Sequence, residues 1–479
     1  MNNRPNVIMI VVDQMRRDAL SVNRPGFSYT PHLDQLSRQG VNFDNAYSSC
    51  PSCIAARATL LTGLRHERTG FIGYAPLYEW KYPVTIASVL GDAGYQTQCI
   101  GKMHVEPPRN RMGFDNVILH DGFLHDKRQR YDDPLKYDDY LPDVRRDLGP
   151  DFDLMDTDIG CNGYATRCWP WGEKYHPTNW VTTKSLEFLR RRDPTKPFFL
   201  KLSYHRPHCP LDPPESYFDM YRDRPMPKPL EGDWDHLFRT YPDVENPIPE
   251  EEHFRERARK AYCALCTHID FELNRLFSNL GTMGLWSNTA ILFVADHGDM
   301  LFDHGVVRKT LPFEGSAAVP LLLRLPDSQN DRYEAGTTDN RLVELRDILP
   351  TICDICGVEA PRDIDGVSIL DSKHKHEYIH GEHQHDGGFA NQWLTDGHEK
   401  YCWFSEAGFE LFFDLDADPD ETHDLSKERP ERVAFWRERM VRELKDRPEP
   451  FVKDGKLQNG VAPDDMLPWV GVGKYEPKP

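Results

Sequence analysis

The chain lacks a long hydrophobic run. Its longest apolar stretch near the start, Val7 to Val12, is too short for a signal h-region or a membrane-spanning helix, and no basic leader with a cleavage site accompanies it. The expectation is a cytoplasmic protein with no membrane partner. Basic residues are also scarce, 58 Lys and Arg against 77 Asp and Glu, for a formal net charge of −19. That balance excludes a general nucleic-acid binder, so an anionic substrate would have to be drawn by a local basic cluster. The eleven cysteines are an odd number, which argues against a disulfide framework in a chain without a secretion signal. Internal repeats and low-complexity segments are missing too. What is present, 39% hydrophobic and 28% charged residues over 479 positions, describes a folded chain with one large domain and a smaller one.

PNVIMIVVDQ is an apolar run ending in a carboxylate, as expected of a buried parallel strand whose C-terminal end reaches a site. TPHLDQLSRQG follows as a helix, with Thr30 as N-cap, Pro31 at the first position and Gly40 past the end. Helices at TIASVLGDAG, TTKSLEFLRRR and Glu250 to about Leu280 alternate with strands at YQTQCIG, PFFLKLSYH, TAILFVADHG and VPLLLRL. This alternation means an α/β fold, a large mostly parallel sheet flanked by helices over residues 1–372. From Lys373 the text changes to short strands and one amphipathic helix, RVAFWRERMVRELK. Residues 373–479 therefore read as a smaller C-terminal α+β subdomain with an antiparallel sheet. Residues 106–179 show little periodicity, as a binding loop or lid would.

Two strand ends carry matching polar groups: Asp13-Gln14 after the first strand and Asp296-His297 after TAILFVA. Both fall at the C-terminal sheet edge where open α/β sheets bind ligands, and together they suit one divalent cation, Ca, Mg or Mn. Cys53 precedes the helical text ARATLLTG, so it stands near a helix N-terminus that favours an anion, with Arg57 one turn later on the same face. Cys263/Cys266 and Cys353/Cys356 repeat the Cys-x-x-Cys spacing of Cys50/Cys53. They lie in helix-like text, where such pairs pack as small hydrophobes, and a zinc site built from them is the less favoured reading.

Cys53-Ile54-Ala55-Ala56-Arg57 followed by Leu61-Thr62-Gly63 resembles the signature of the formylglycine-dependent sulfatases of the alkaline phosphatase superfamily, with Ala55 where Pro is commoner. The resemblance extends through VVDQ, GKMH, PFFLKLSYHRPH, ADHGD, RKTLPFEGSAAVP and LFFDLDADPDE, nearly the whole chain. It implies an alkaline-phosphatase-like fold and a sulfatase that cleaves a sulfate monoester of a carbohydrate or another small or oligosaccharide molecule. It also implies a maturase partner that converts Cys53 to formylglycine, whose hydrate attacks sulfur and then expels sulfate by losing a second proton. By match, Asp13, Gln14, Asp296 and His297 would hold the cation, most plausibly Ca, and Arg57 would steady the hydrate. Lys102 and Lys309 would grip sulfate, His208 would protonate the leaving group, and His104 would serve the hydrate or its collapse.

Trp169, Trp171 and Trp180 could stack on a sugar ring or simply pack. His380, Glu382, His383 and His385 are read as a substrate rim, with a second metal site as the other option. The competing readings are a phosphonate monoester or phosphodiester hydrolase of the same superfamily and, from another class, a non-catalytic protein that binds sulfated ligands. Lys102 and His104 favour sulfate, because the phosphonate enzymes typically lack that Lys-x-His pair. The choline sulfatases share GKMH and DHGDM but carry a long C-terminal extension that this chain lacks. The sequence leaves open a homo-oligomer.

Overall fold

The computed structural model describes residues 4–122, 125–238, 251–373, 375–384, 389–462 and 464–467; His385 lies outside them. Its frame is an eight-stranded sheet formed by β1 (Asn6–Asp13), β2 (Val41–Phe43), β3 (Gln96–Gly101), β4 (Asn116–Leu119), β5 (Phe198–Pro207), β6 (Thr289–Ala295), β7 (Leu321–Arg324) and β8 (Thr337–Asp339). The strand order is β4-β3-β5-β1-β6-β7-β2-β8, and all neighbours run parallel except where β7 meets β6 and β2. Every residue of β1 is buried, which requires cover on both faces and explains why NVIMIVVD reads as a continuous apolar run rather than an alternation. β1 sits between β5 and β6, so the carboxylate that ends it and the one that follows β6 come side by side at the same sheet edge.

Helices pack in two groups. Helix α1 (Pro31–Gln39), α3 (Pro177–Arg191) and the long α4 (Glu252–Thr282) form one, while α2 (Cys53–Thr62) packs with Ile86–Asp92 and Ile348–Ile355 in the other. The start of α1 departs from expectation. Thr30 does not cap it, because Thr30 Oγ1 accepts the Ser21 amide at 2.8 Å. The first turn is capped instead by the Asp270 carboxylate from α4, which takes the amides of His32 at 3.1 Å and Leu33 at 2.7 Å, a tertiary partner that local spacing does not reveal. Cys263, Cys266, Cys353 and Cys356 are buried, and among the described residues none joins a metal-competent cluster.

The C-terminal sheet is an antiparallel meander of β9 (Ile379–His383), β10 (Asn391–Thr395), β11 (Glu399–Phe404) and β12 (Phe409–Asp414). Its period-two pattern assigns its faces. Leu394, Tyr401, Trp403 and Phe412 meet Val433, Trp436, Met440 and Leu444 of helix α5 (Pro430–Leu444). Trp393, Cys402, Phe404, Leu411 and Phe413 point the other way, against Tyr47, Phe313 and Ala317 of the main body. Among the described residues no helix is long and apolar enough to cross a membrane.

Candidate active site

Cys53 is the first residue of α2, whose ten residues are all buried and whose N-cap, Ser52, makes no side-chain capping bond. The start of the helix is left to whatever Cys53 carries or binds. Cys53 Sγ lies 3.5 Å from Asp13 Oδ1 and 3.2 Å from His297 Nε2. One ligand atom each from Asp13, Cys53, Asp296 and His297 falls within 4.8 Å of the others, and all four residues are buried. His297 Nδ1 bonds to the Gly298 carbonyl at 2.9 Å, so it carries the proton and the Nε2 lone pair faces the cluster, the tautomer a metal ligand needs. Gly298 is required at this turn, since a Cβ there would stand 2.1 Å from the Gly315 carbonyl oxygen.

Cations ring the carboxylates. Lys102 Nζ contacts Asp13 Oδ2, and Arg57 Nε donates to Asp296 Oδ2 at 2.9 Å. Arg57 Nη1 donates to the Lys102 carbonyl and to Ser203 Oγ, whereas Arg57 Nη2 is buried with no hydrogen-bond partner. Such an orphaned donor is a place for a further oxygen. Burial would raise the Asp13 carboxyl, but Lys102 and Arg57 beside it hold it well below the usual range. Burial and the neighbouring Asp13 push Asp296 up. Burial and Asp13 would also raise the Cys53 thiol, but Lys102, Lys309 and His297 draw it well below its ordinary value. Two close carboxylates with opposed shifts, an imidazole nitrogen and a polarised sulfur fit a divalent cation with one further ligand from residue 53.

Lys309 Nζ donates to Gln14 Oε1 at 2.8 Å and lies 3.0 Å from His208 Nε2. His208 Nδ1 bonds to the Cys209 carbonyl at 2.9 Å, so Nε2 accepts from Lys309. Burial and then Lys309 pull His208 down to about 3, leaving it neutral. His104 packs against Cys53, and burial and Lys102 lower its pKa. The sequence-derived residues Asp13, Gln14, Cys53, Arg57, Lys102, His104, His208, Asp296, His297 and Lys309 thus come together in one place.

The rim candidates do not join them. Trp169 is buried, its ring 4.8 Å from Trp171 and 4.9 Å from His176, and Trp180 donates to Asp143. These tryptophans pack the segment that the sequence left irregular. An exposed aromatic ring beside the site is Tyr74, 43% exposed and 6.2 Å from the His104 ring. His380 and Glu382 engage Glu67, His66 and Arg447 rather than Cys53, and His383 is buried. β9 nevertheless touches the loop before Cys53, where the Glu382 amide donates to the Ser49 carbonyl at 2.9 Å.

Several supporting residues were not foreseen. Asp121 takes the amides of Met103 at 2.6 Å and His104 at 3.0 Å, fixing the GKMH turn. Asp299 accepts from Gln14 Nε2 and Tyr164 and so aims the Gln14 amide. Lys201 donates to the Lys102 carbonyl at 2.8 Å. Asp299 lay in the ADHGD segment and Lys201 interrupts an apolar strand, both usable signals; Asp121 and Tyr164 sit in the aperiodic region and offered none.

A sulfatase family model matches residues 5–358, and the model of the C-terminal part of N-sulphoglucosamine sulphohydrolase matches residues 302–447. The chain belongs to the sulfatase family. An arylsulfatase of Clostridium perfringens (strain 13 / Type A) is 43% identical over 476 residues, covering 95% of this chain and 98% of its own. Among solved structures, the phosphonate monoester hydrolase of Agrobacterium radiobacter superposes with a TM-score of 0.77 at 21% identity, covering 92% of this chain and 95% of its own. A second protein, solved with its substrate D-glucosamine-2-N,6-O-disulfate, gives 0.71 at 20% identity, over 93% and 99%. At those identities the two structures speak for the alkaline-phosphatase-like fold alone. Family and relative together make this sulfatase a sulfuric ester hydrolase.

Proposed function

We propose that this sulfatase cleaves a small sulfate monoester, of an aryl or sugar alcohol, with a formylglycine made from Cys53 and a divalent cation held by Asp13, Gln14, Asp296 and His297. The observation that carries the reading is the convergence of Cys53 with two buried carboxylates, the His297 lone pair and the cations Arg57, Lys102 and Lys309 in an otherwise acidic protein. When bound, the cation lowers the pKa of the nucleophile and offsets the two carboxylates.

Each residue then has a task. Formylglycine at residue 53 would supply, as its hydrate, the oxygen nucleophile for sulfur. Lys102 and Lys309 hold the sulfuryl oxygens, and the Arg57 Nη2 donor takes a hydrate oxygen. The leaving oxygen needs a proton, and a neutral His208 has none to spare on Nε2. The proton therefore resides on Lys309 and passes through the Lys309–His208 pair. His104, neutral and against residue 53, would accept a proton from the oxygen that residue 53 carries. Tyr74 offers its face to the leaving group. The division at residues 372/373 belongs to the same proposal, supported by the separate sheet that begins at Ile379.

Turnover of 4-nitrophenyl sulfate, sulfated monosaccharides and phenyl phosphonate esters by maturase-coexpressed enzyme tests the assignment. The expected order places sulfate esters first. A preference for phosphonates would transfer the site to phosphonate hydrolysis.

A further inference from the structure

Beyond α2 the chain builds a second polar cluster, away from Cys53. Gly63 ends the helix at φ 70°, and the next turn presents Arg65, His66 and Glu67 to β9 of the C-terminal sheet, where His380 and Glu382 lie. His66 and Glu382 are fully buried and His380 nearly so.

Both imidazoles are held by an outer nitrogen. His66 Nδ1 meets Ser49 Oγ at 3.1 Å, and His380 Nε2 meets Gln392 Oε1 at 2.8 Å. Gln392 Nε2 donates to Glu382 Oε2, which fixes the amide with its oxygen toward His380; His380 therefore carries its proton on Nε2 and turns Nδ1 inward, where it stands 3.4 Å from Arg65 Nη2. His66 Nε2 is buried and makes no hydrogen bond of acceptable geometry, although carboxylate oxygens stand 3.1 Å (Glu382) and 3.5 Å (Glu67) from it. His380 Nδ1 lies 3.4 Å from Glu67.

These separations have a simple meaning. Ligands bound at about 2.0–2.1 Å to a tetrahedral ion stand about 3.3 Å apart along each edge. The two Glu67 oxygens stand 3.4 Å from His380 Nδ1 and 3.5 Å from His66 Nε2, close to that length, and one ligand atom each from His66, Glu67 and His380 falls within 4.8 Å of the others. Charge points the same way. Glu67 and Glu443 share Arg65, and Glu382 and Glu449 share Arg447, so four carboxylates face two guanidinium groups. The carboxylates thus outnumber the guanidinium groups by two in a largely buried place, an excess that a divalent ion would match.

We propose that His66, Glu67 and His380, with Glu382 at the His66 side, form a structural site for a zinc-class divalent cation. Two imidazole nitrogens and carboxylate oxygens suit zinc better than calcium. The ion would fasten the C-terminal sheet to the turn after α2 and, through Ser49, to the loop that leads into Cys53.

The test uses the full chain in an Asp13→Asn background, where the cluster at Cys53 competes poorly, with zinc as the probe. Metal analysis after dialysis should give about one zinc per chain, lost in His66→Ala and His380→Ala. Cobalt replacing zinc should show the intense visible bands of a tetrahedral site. If the alanine variants fail to fold, the conservative Glu67→Gln and His380→Gln should fold and bind zinc at least tenfold more weakly. Less than a tenth of an equivalent of zinc in the Asp13→Asn chain, or zinc unchanged by all these substitutions, would overturn the site. Those results would mean that protonated histidines neutralise the cluster, and they would leave the sulfatase reading untouched.

Discussion

Replacing Lys102 by Met removes one positive charge and leaves most of the side-chain volume. Lys102 is 2% exposed, contacts Asp13, and has its main-chain carbonyl clamped by Arg57 and Lys201, so the side chain has little freedom to be replaced by water or a neighbour. In the resting site Asp13 and Asp296 are balanced by Arg57 and Lys102; in the variant one carboxylate loses its partner. Two consequences follow. Loss of one preorganised donor to the sulfuryl group should lower kcat/KM for 4-nitrophenyl sulfate by about 100- to 1000-fold, roughly 2.7–4 kcal/mol. Stability should become dependent on the cation, because breaking a buried ion pair costs about 3–5 kcal/mol unless another charge takes over. Chelation should therefore lower the Tm of Lys102→Met well beyond its effect on the wild type, with added calcium or manganese restoring it. Hydrolysis of a phosphonate ester should fall less than hydrolysis of the sulfate ester. Equal losses on both substrates, or a Tm indifferent to chelator, would refute the assignment of Lys102 to both carboxylate and sulfate.

Asp296→Asn should leave the fold intact while one equivalent of the catalytic-site cation disappears from metal analysis and turnover is abolished. Lys201→Met should reduce kcat by about tenfold, roughly 1.4 kcal/mol, with KM little changed, because it removes one of the two clamps on the Lys102 carbonyl without touching substrate. Burial, and His176 beside it, hold His268 well below its ordinary value, so the unfolded chain binds a proton there that the folded chain refuses. Stability should accordingly fall as pH drops below about 6.5, and His268→Gln should flatten the slope of unfolding free energy by up to about 1.4 kcal/mol per pH unit in that range.

Much of this arrangement could be read from the chain because strand-end chemistry is local. An apolar run ending in Asp13 and another followed by Asp296 and His297 dictate their own burial and their own sheet edge, and the Cys53 signature names its helix start. What escaped was set by contacts distant in sequence. Asp270 caps α1 from a helix 238 residues away from His32, a choice forced when Ser21 claims Thr30. Asp121 and Tyr164 reach the site from a stretch with no period to read. Trp169 and Trp180 could have served a sugar or the packing, and in the fold they pack, against His176 and Tyr140. The reversed β7 shows no mark in VPLLLRL, since direction is not encoded in an apolar run.

The most direct measurement is peptide mass spectrometry of residue 53 in active enzyme, paired with turnover. Coexpression with a formylglycine-generating maturase should yield a lighter, hydrazide-reactive peptide containing position 53, and kcat should rise in proportion to its fraction. Cys53→Ala should be inactive despite a full complement of cation. Full activity in a preparation whose residue 53 is entirely an unmodified thiol would contradict the account at its centre.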